Sequence, residues 1–333
     1  MKFFVTGATG FIGGRISRQL VASGHQVVAL ARDPSKAAAL IHLGIDVRKG
    51  DITDLESLRP AMAGADGVFH VAGWYKVGSP DREAARRINI DGTRNVLTAM
   101  KALKISKGVY TSTLAIYSDT NGRTVDEKSR YDGPWLSEYE RTKWAAQTEI
   151  AESMIAQGLP LVIVLPGLVY GPGDTSSVRD LFLLYLKRRL PMVSPRTAYC
   201  WGHVEDIARG HLLAMERGRP GEDYIIAGPP HTLQAAFEIA ERVTGIKAPR
   251  LHPPPGLLKA FAALVGAIEP LLPLPDLYRA ESLRAIAGTT YLGSSEKARR
   301  ELGFKTRPLE EGLQETLLQE LSLLRLRQKE ARK

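Results

Sequence analysis

The chain of 333 residues holds a single cysteine, Cys200. An intrachain disulfide and a thiolate metal cluster are thereby excluded, and a reducing, cytoplasmic setting is expected. No uninterrupted apolar run reaches about 18 residues, so no membrane span is expected. Lys2 stands near the start, but no long apolar stretch precedes the first glycines, and no signal peptide is read. His-Glu-x-x-His spacing is absent, as are a helix-turn-helix pattern, a zinc knuckle and an aromatic ribonucleoprotein motif. No metal is therefore expected, and the net charge of +9 is not assigned to nucleic acid. Anionic cofactors or solubility account for it equally well.

What is present is ordinary for a globular chain: 44% hydrophobic and 24% charged residues, enough for one or two domains with a sizeable core. Short β-branched runs stand at 3–6, 26–31, 67–72, 108–113 and 161–165. Segments of helical spacing lie at 15–23, 55–63, 84–103 and 138–156, with Asp54 or Thr53 as a cap for the second. This alternation predicts an α/β fold, a doubly wound parallel sheet with helices on both faces. After Gly167 the pattern loosens and Pro and Gly cluster at 166–173, 229–230 and 249–256. A smaller, mixed C-terminal substrate subdomain is expected there. The expected division is 1–167 for a dinucleotide-binding domain, with 200–228 returning to it. Residues 168–199 and 229–325 then form the substrate-binding subdomain, and 326–333 a charged tail.

The chain begins MKFFVTGATGFIGG. A strand, then Gly7-x-x-Gly10-x-x-Gly13, then a helix is suited to a dinucleotide. The first glycine turns the chain, the second admits a pyrophosphate to the backbone, and the third lets helix pack on strand. An ordinary tight turn between strand and helix is the plainer reading, and the spacing differs from the familiar G-x-G-x-x-G.

TGATGFIG resembles the opening of the extended short-chain dehydrogenase/reductases, the NAD-dependent epimerase/dehydratase family. The likeness continues in GDITD (50–54), VFHVAG (68–73), INIDGTRNVL (88–97), TSTLAIY (111–117), YERTK (139–143), LPGLVYGPGD (165–174) and GHVEDIARG (202–210). KARRELGFKTRPLEEGLQET resembles the family's C-terminal signature. The resemblance implies a Rossmann-type fold. It implies a cofactor surface of Gly7, Thr9, Gly10, Phe11, Ile12, Gly13, Asp51, Ile52, Val71, Ala72, Gly73, Thr111, Pro166, Gly167 and Val169. It implies Thr113, Tyr139 and Lys143 as catalytic residues, with Tyr139 and Lys143 also touching the cofactor. Its members often pair through four helices, which here implies a homodimer using 84–103 and 138–156. Ser112, beside Thr113, is expected to satisfy strand-end backbone instead.

Tyr139 and Lys143 are four apart and share a helix face, as they would on any amphipathic helix. The chemistry gives the pair a purpose. A tyrosine with a pKa near 10 is a poor acid–base group at neutral pH. A cation about 4 Å away contributes about 4 kcal/mol at an effective dielectric near 20, at most about three pKa units. Thr113 would donate to the substrate oxygen.

NAD-preferring members carry an acid at the end of the second strand. Ala31 stands there, followed by Arg32, which would attract a 2′-phosphate. NADP is therefore the expected cofactor. Arg32 as a plain exposed loop residue is the competing reading, and Asp33 leaves NAD open.

Leu114 and Ala115 replace the Asp-Glu of sugar-nucleotide dehydratases, and Tyr199 and Cys200 replace the Arg-Asp of many epimerases. VFHVAGWYK and VVALARDP resemble dihydroflavonol reductase-like enzymes and a bacterial group associated with hopanoid biosynthesis. Trp74, Tyr75, Trp135 and Tyr170 would line an aromatic pocket for a hydrophobic carbonyl substrate. The reading is an NAD(P)-dependent reductase of a small hydrophobic or aromatic ketone or aldehyde. A sugar-nucleotide epimerase with tightly held NAD is the alternative, and a non-catalytic dinucleotide sensor comes third. His203, beside Glu205 and Asp206, is read as structural. The stretch GLLKAFAALVGAIEPLLPLP (256–275) is read as a cover over the pocket, with a membrane-surface helix as its rival.

Overall fold

The computed structural model describes residues 1–269, 274 and 278–330, the side chains of 327–330 excepted. Residues 270–273 and 275 of the apolar stretch, and 331–333 of the expected tail, lie outside the described residues. The strands, in chain order, are β1 (Lys2–Thr6), β2 (Gln26–Ala31), β3 (Asp46–Lys49), β4 (Gly67–His70), β5 (Gly108–Thr111) and β6 (Leu161–Pro166). They continue with β7 (Leu168–Tyr170), β8 (Ala198–His203), β9 (Asp223–Ile226), β10 (Pro230–Thr232) and β11 (Thr290–Tyr291).

Seven strands form one parallel sheet in the order β3-β2-β1-β4-β5-β6-β9. This is the Rossmann-type arrangement. Its order reverses between β1 and β4, so a crevice opens at their carboxyl ends, where Gly7 and Val71 lie. Both faces are covered, which is why β4, β5 and β6 are wholly buried. Phe4, Leu58, Val96, Tyr110 and Ile163 pack on one face; Phe3, Ile16, Phe69, Val109 and Leu212 pack on the other.

A smaller sheet joins β10, β8, β11 and β7. It encloses a third core of Tyr170, Phe182, Trp201, Phe237 and Leu313. Of the segment 200–228, residues 200–203 belong to this second sheet, within β8, whereas β9 lies in the large one. Gly167 makes the junction: a Cβ there would stand 2.1 Å from the Cys200 carbonyl oxygen, so only glycine lets β6 run straight into β7 beside β8.

Two of the long helical segments contain a π turn, at Arg87–Asp91 and Ala146–Ala151. Asp54 caps Leu55–Met62 by accepting from the Glu56 amide. β3 was not anticipated, because three of its four residues are exposed and leave no apolar pattern to read.

Candidate active site

The glycine turn has the geometry its sequence implies. Gly7 adopts φ +72°, and a Cβ on it would come 2.7 Å from the Ala72 nitrogen. A Cβ on Gly13 would come 2.2 Å from the Gly7 oxygen. Gly10 caps the Phe11–Ala22 helix with no side-chain bond, and no acid occupies the first turn. The first amides of that helix therefore point outward unspent, beside exposed Thr9 and half-buried Phe11 and Ile12. A cradle that a Cβ would fill, at a helix start without negative charge, fits the pyrophosphate of a dinucleotide.

Thr6 fastens this turn to the next strand. Its hydroxyl accepts from the Val71 and Ala72 amides and so donates to His70 Nδ1, 2.9 Å away. His70 Nε2 then carries the proton toward Thr93 Oγ1 at 3.1 Å. Thr93 bonds the Tyr110 hydroxyl, and His70 stacks on the Tyr110 ring. Lys143 Nζ ends the chain, donating to the Tyr110 hydroxyl at 3.0 Å and to the Thr111 carbonyl at 2.7 Å. Burial and the nearby Lys143 charge lower His70 to about 3, so it is neutral here. Burial lowers Lys143 to about 7.

Thr113, Tyr139 and Lys143 come together at the ends of β5 and the Glu138–Ala145 helix. Tyr139 hydrogen-bonds Thr113, whose oxygen also accepts from the Ala115 amide. One expectation needs correction. Tyr139 is not pulled down by Lys143: burial raises it, and Thr113 alone among its neighbours lowers it. The group shifted toward neutrality is Lys143, because burial strips its ammonium of water, even though it still donates to Tyr110 and Thr111. Thr111 likewise offers the site only its carbonyl. Its hydroxyl turns to His211 Nε2 at 2.9 Å, while His211 Nδ1 donates to the Ile207 carbonyl.

Asn89, in the first π turn, was missed by sequence reasoning. It accepts from the Trp74 amide at 2.7 Å and donates to the Trp74 carbonyl and Thr142 Oγ1. It thereby pins the Gly73–Trp74 loop to the helix carrying Tyr139. A Cβ on Gly73 would lie 3.9 Å from Lys143 Nζ, which puts that loop against the lysine.

At the end of β2, Arg32 is exposed and makes no hydrogen bond or ion pair among the described residues. Asp33 is committed elsewhere: it accepts from the Ser35 amide and hydroxyl and caps the turn Pro34–Ala37. Asp51 accepts from the amide and hydroxyl of Thr53, and Ile52 is buried against Gly92. Pro166 closes β6, and Val169 is half-buried in β7.

The expected pocket residues separate. Trp74 is half-buried in its clamped loop. Tyr75 reaches from there to Thr175, hydroxyl to hydroxyl at 3.4 Å. Trp135 packs on Trp144 and Tyr131, and its indole N–H is buried without a partner among the described residues. Tyr170 does not line a pocket. It is 1% exposed, edge-on to Trp201 and His203 in the third core. The inward face of β7 takes an apolar ring there for packing. Tyr199 stacks on Tyr291 at 5.6 Å, and Tyr291 donates to the buried Glu140 carboxylate at 2.7 Å. Ser112 also departs from expectation: its hydroxyl is buried with no partner among the described residues. His203 caps the Val204–Arg217 helix through the Glu205 amide. A separate cavity of about 800 Å³, bordered by Glu127, Glu152, Arg219 and Asp223, lies at the start of β9, away from all of these.

A family model described as "NAD dependent epimerase/dehydratase family" matches residues 3–227. The chain belongs to that family. It is 34% identical over 321 residues to a Synechocystis sp. protein named "Putative dihydroflavonol 4-reductase", covering 93% of this chain and 92% of that one. It is 32% identical over 317 residues to the 4-hydroxy-2-methyl-3-oxo-4-farnesyl-3,4-dihydroquinoline-1-oxide ketoreductase of Stigmatella aurantiaca, covering 92% of each. Among solved structures, gox2253 superposes with a TM-score of 0.81 at 30% identity, over 95% of this chain and 96% of that one. PA4631, a nucleoside-diphosphate-sugar epimerase from Pseudomonas aeruginosa, superposes with 0.76 at 25%, over 95% and 96%. Reductases and epimerases thus both stand among its relatives.

Proposed function

We propose that this protein is an NADPH-preferring reductase of hydrophobic or aromatic ketones and aldehydes. The observation that carries this reading is the meeting of Thr113, Tyr139 and Lys143 beside the glycine turn. The Stigmatella ketoreductase name supports a carbonyl substrate. When bound, the nicotinamide dinucleotide supplies hydride to the carbonyl carbon. The amides after Gly10 hold its pyrophosphate, Asp51 and Ile52 its adenine, and Lys143 its ribose. Arg32, with no other partner among the described residues, takes the 2′-phosphate, while Asp33 is occupied by its own turn. Thr113 orients the substrate oxygen, and the Tyr139 hydroxyl gives that oxygen its proton, leaving an alcohol. Lys143, lowered to about 7, holds its own proton loosely in the same buried cluster.

The second sheet and its helices, with Trp74 and Tyr75, supply the substrate side. Tyr199 occupies a place where related epimerases carry an arginine, and it stacks on Tyr291. A diphosphate buried there would lack that cation, at a cost of several kcal/mol. The proposed form is a cytoplasmic homodimer paired through the helical segments 84–103 and 138–156. Mass analysis of cofactor in the purified protein tests the reading, together with NADPH consumption on a carbonyl panel. Free protein that consumes NADPH on aromatic ketones supports it; tightly retained NAD with no consumption refutes it.

A further inference from the structure

The Pro255–Ile268 helix turns Ala262, Val265 and Gly266 inward and Leu257, Phe261, Leu264 and Ile268 outward. Ala262 is fully buried and Val265 nearly so. Gly266 lies against Ala280, on the Ala280–Ile286 helix that forms the inner neighbour. Leu257, Phe261, Leu264 and Ile268 are 62%, 53%, 60% and 39% exposed. Their spacing of four, three and four places them in one stripe. Ala260, Ala263 and Ala267 are exposed beside them, and the only charged residue within the helix is Lys259. Contiguous apolar surface of this kind marks an interaction site.

Cations outnumber acids in the neighbouring surface. Met192 and Leu251, both exposed, form a bridge fixed by Val193 N donating to Leu251 O and Leu251 N to Pro191 O. That pairing carries the run Lys187, Arg188, Arg189 and the residue Arg250 to the end of the molecule where the helix begins, at Pro255. All four are exposed, and none forms an ion pair among the described residues. Of the acids nearest along the chain, Glu241 is engaged by Lys247 and Glu269 by Arg279, while Asp180, seven residues before Lys187, is exposed.

We propose that the stripe and its cationic rim seat the protein on an anionic phospholipid bilayer. The four large side chains enter the boundary between headgroups and acyl chains, and the arginines meet lipid phosphates. The helix does not span: its 14 residues extend about 21 Å, short of a hydrocarbon core. Charge and packing weigh against two other occupants. A second copy docked on the same stripe would bring two sets of unpaired arginines together. A cover over the pocket would turn its large residues inward, yet the inward face is already packed on Ala280–Ile286. Ser282 of that inner helix bonds the Val77 carbonyl, just after Trp74 and Tyr75, so docking places that loop one helix from lipid. The inference stands apart from the reductase reading.

Co-sedimentation of the full chain with phosphatidylglycerol–phosphatidylcholine vesicles tests it, against phosphatidylcholine alone. Binding should be about 10-fold or more tighter with the anionic lipid and should weaken with salt. Phe261→Glu with Leu264→Glu should abolish it, and Arg188→Glu with Arg189→Glu should weaken it about 10-fold, with melting temperatures unchanged. Absence of binding by the wild type overturns the proposal, as does equal binding to both vesicle types. So does binding indifferent to Phe261→Glu/Leu264→Glu, or a wild-type dimer that this variant turns into a monomer.

Discussion

The Lys143 ammonium lies 3.0 Å from the Tyr110 hydroxyl, whereas the Tyr139 hydroxyl is bonded to Thr113. The two polar side chains expected to act on each other directly are therefore each held by a strand residue of β5 or its continuation. Tyr110 is the link between Lys143 and the Thr6–His70–Thr93 chain.

Tyr110→Phe removes an acceptor from a fully buried ammonium and takes away the acceptor of the Thr93 hydroxyl proton, which keeps only His70. Leaving buried donors unmet costs about 1–3 kcal/mol. Urea unfolding should show that loss, and unchanged stability would show that the network does not hold Lys143.

Lys143 sets a pH dependence of stability. Its folded value is about 7 against 10.5 for the free side chain. Between those values the unfolded state binds more protons, so wild-type stability rises with pH through that window. Lys143→Met lacks this slope. The stability of Lys143→Met relative to wild type should therefore be greatest near pH 7 and shrink toward pH 10, by up to about 1.4 kcal/mol per unit. A difference constant with pH would contradict the burial of the ammonium.

Tyr139→Phe should keep cofactor affinity and lose turnover by about 10² or more, the scale of a missing general acid. The check is steady-state kinetics beside a cofactor titration. Retention of most activity removes Tyr139 from its role.

Arg32→Ala should weaken NADPH through its Michaelis constant and leave NADH little changed, since Asp33 stays with Ser35. A wild type that favours NADH contradicts the assignment of Arg32 to a 2′-phosphate.

The sequence made β1, β2, β5 and β6 readable because their runs are apolar and bounded by turn residues. The exposed edge strand β3 and the two π turns carry no such pattern. Thr113, Tyr139 and Lys143 followed from motif and spacing. The Thr6–His70–Thr93–Tyr110 chain did not, because its members come from three strands and a helix and meet only through the fold. For Thr6 and His70 a signal was available in one form: a polar residue at the carboxyl end of an otherwise apolar strand, as in FFVT and VFH. Tyr170 was misjudged because an aromatic next to a glycine-rich turn looks the same whether its ring lines a pocket or fills a core. Ser112 was misjudged because nothing local reveals that the strand-end backbone is met without its hydroxyl.

The central claim is that Tyr139 serves carbonyl reduction and not sugar epimerisation. The most direct measurement incubates the protein with NADPH and a panel of aromatic ketones, and in parallel with UDP-glucose, UDP-galactose and UDP-glucuronate. The account predicts NADPH loss matched by alcohol formation, with no sugar converted. Conversion of any nucleotide sugar at about 1 per second or faster, the range of working enzymes, with no carbonyl reduced, would contradict it.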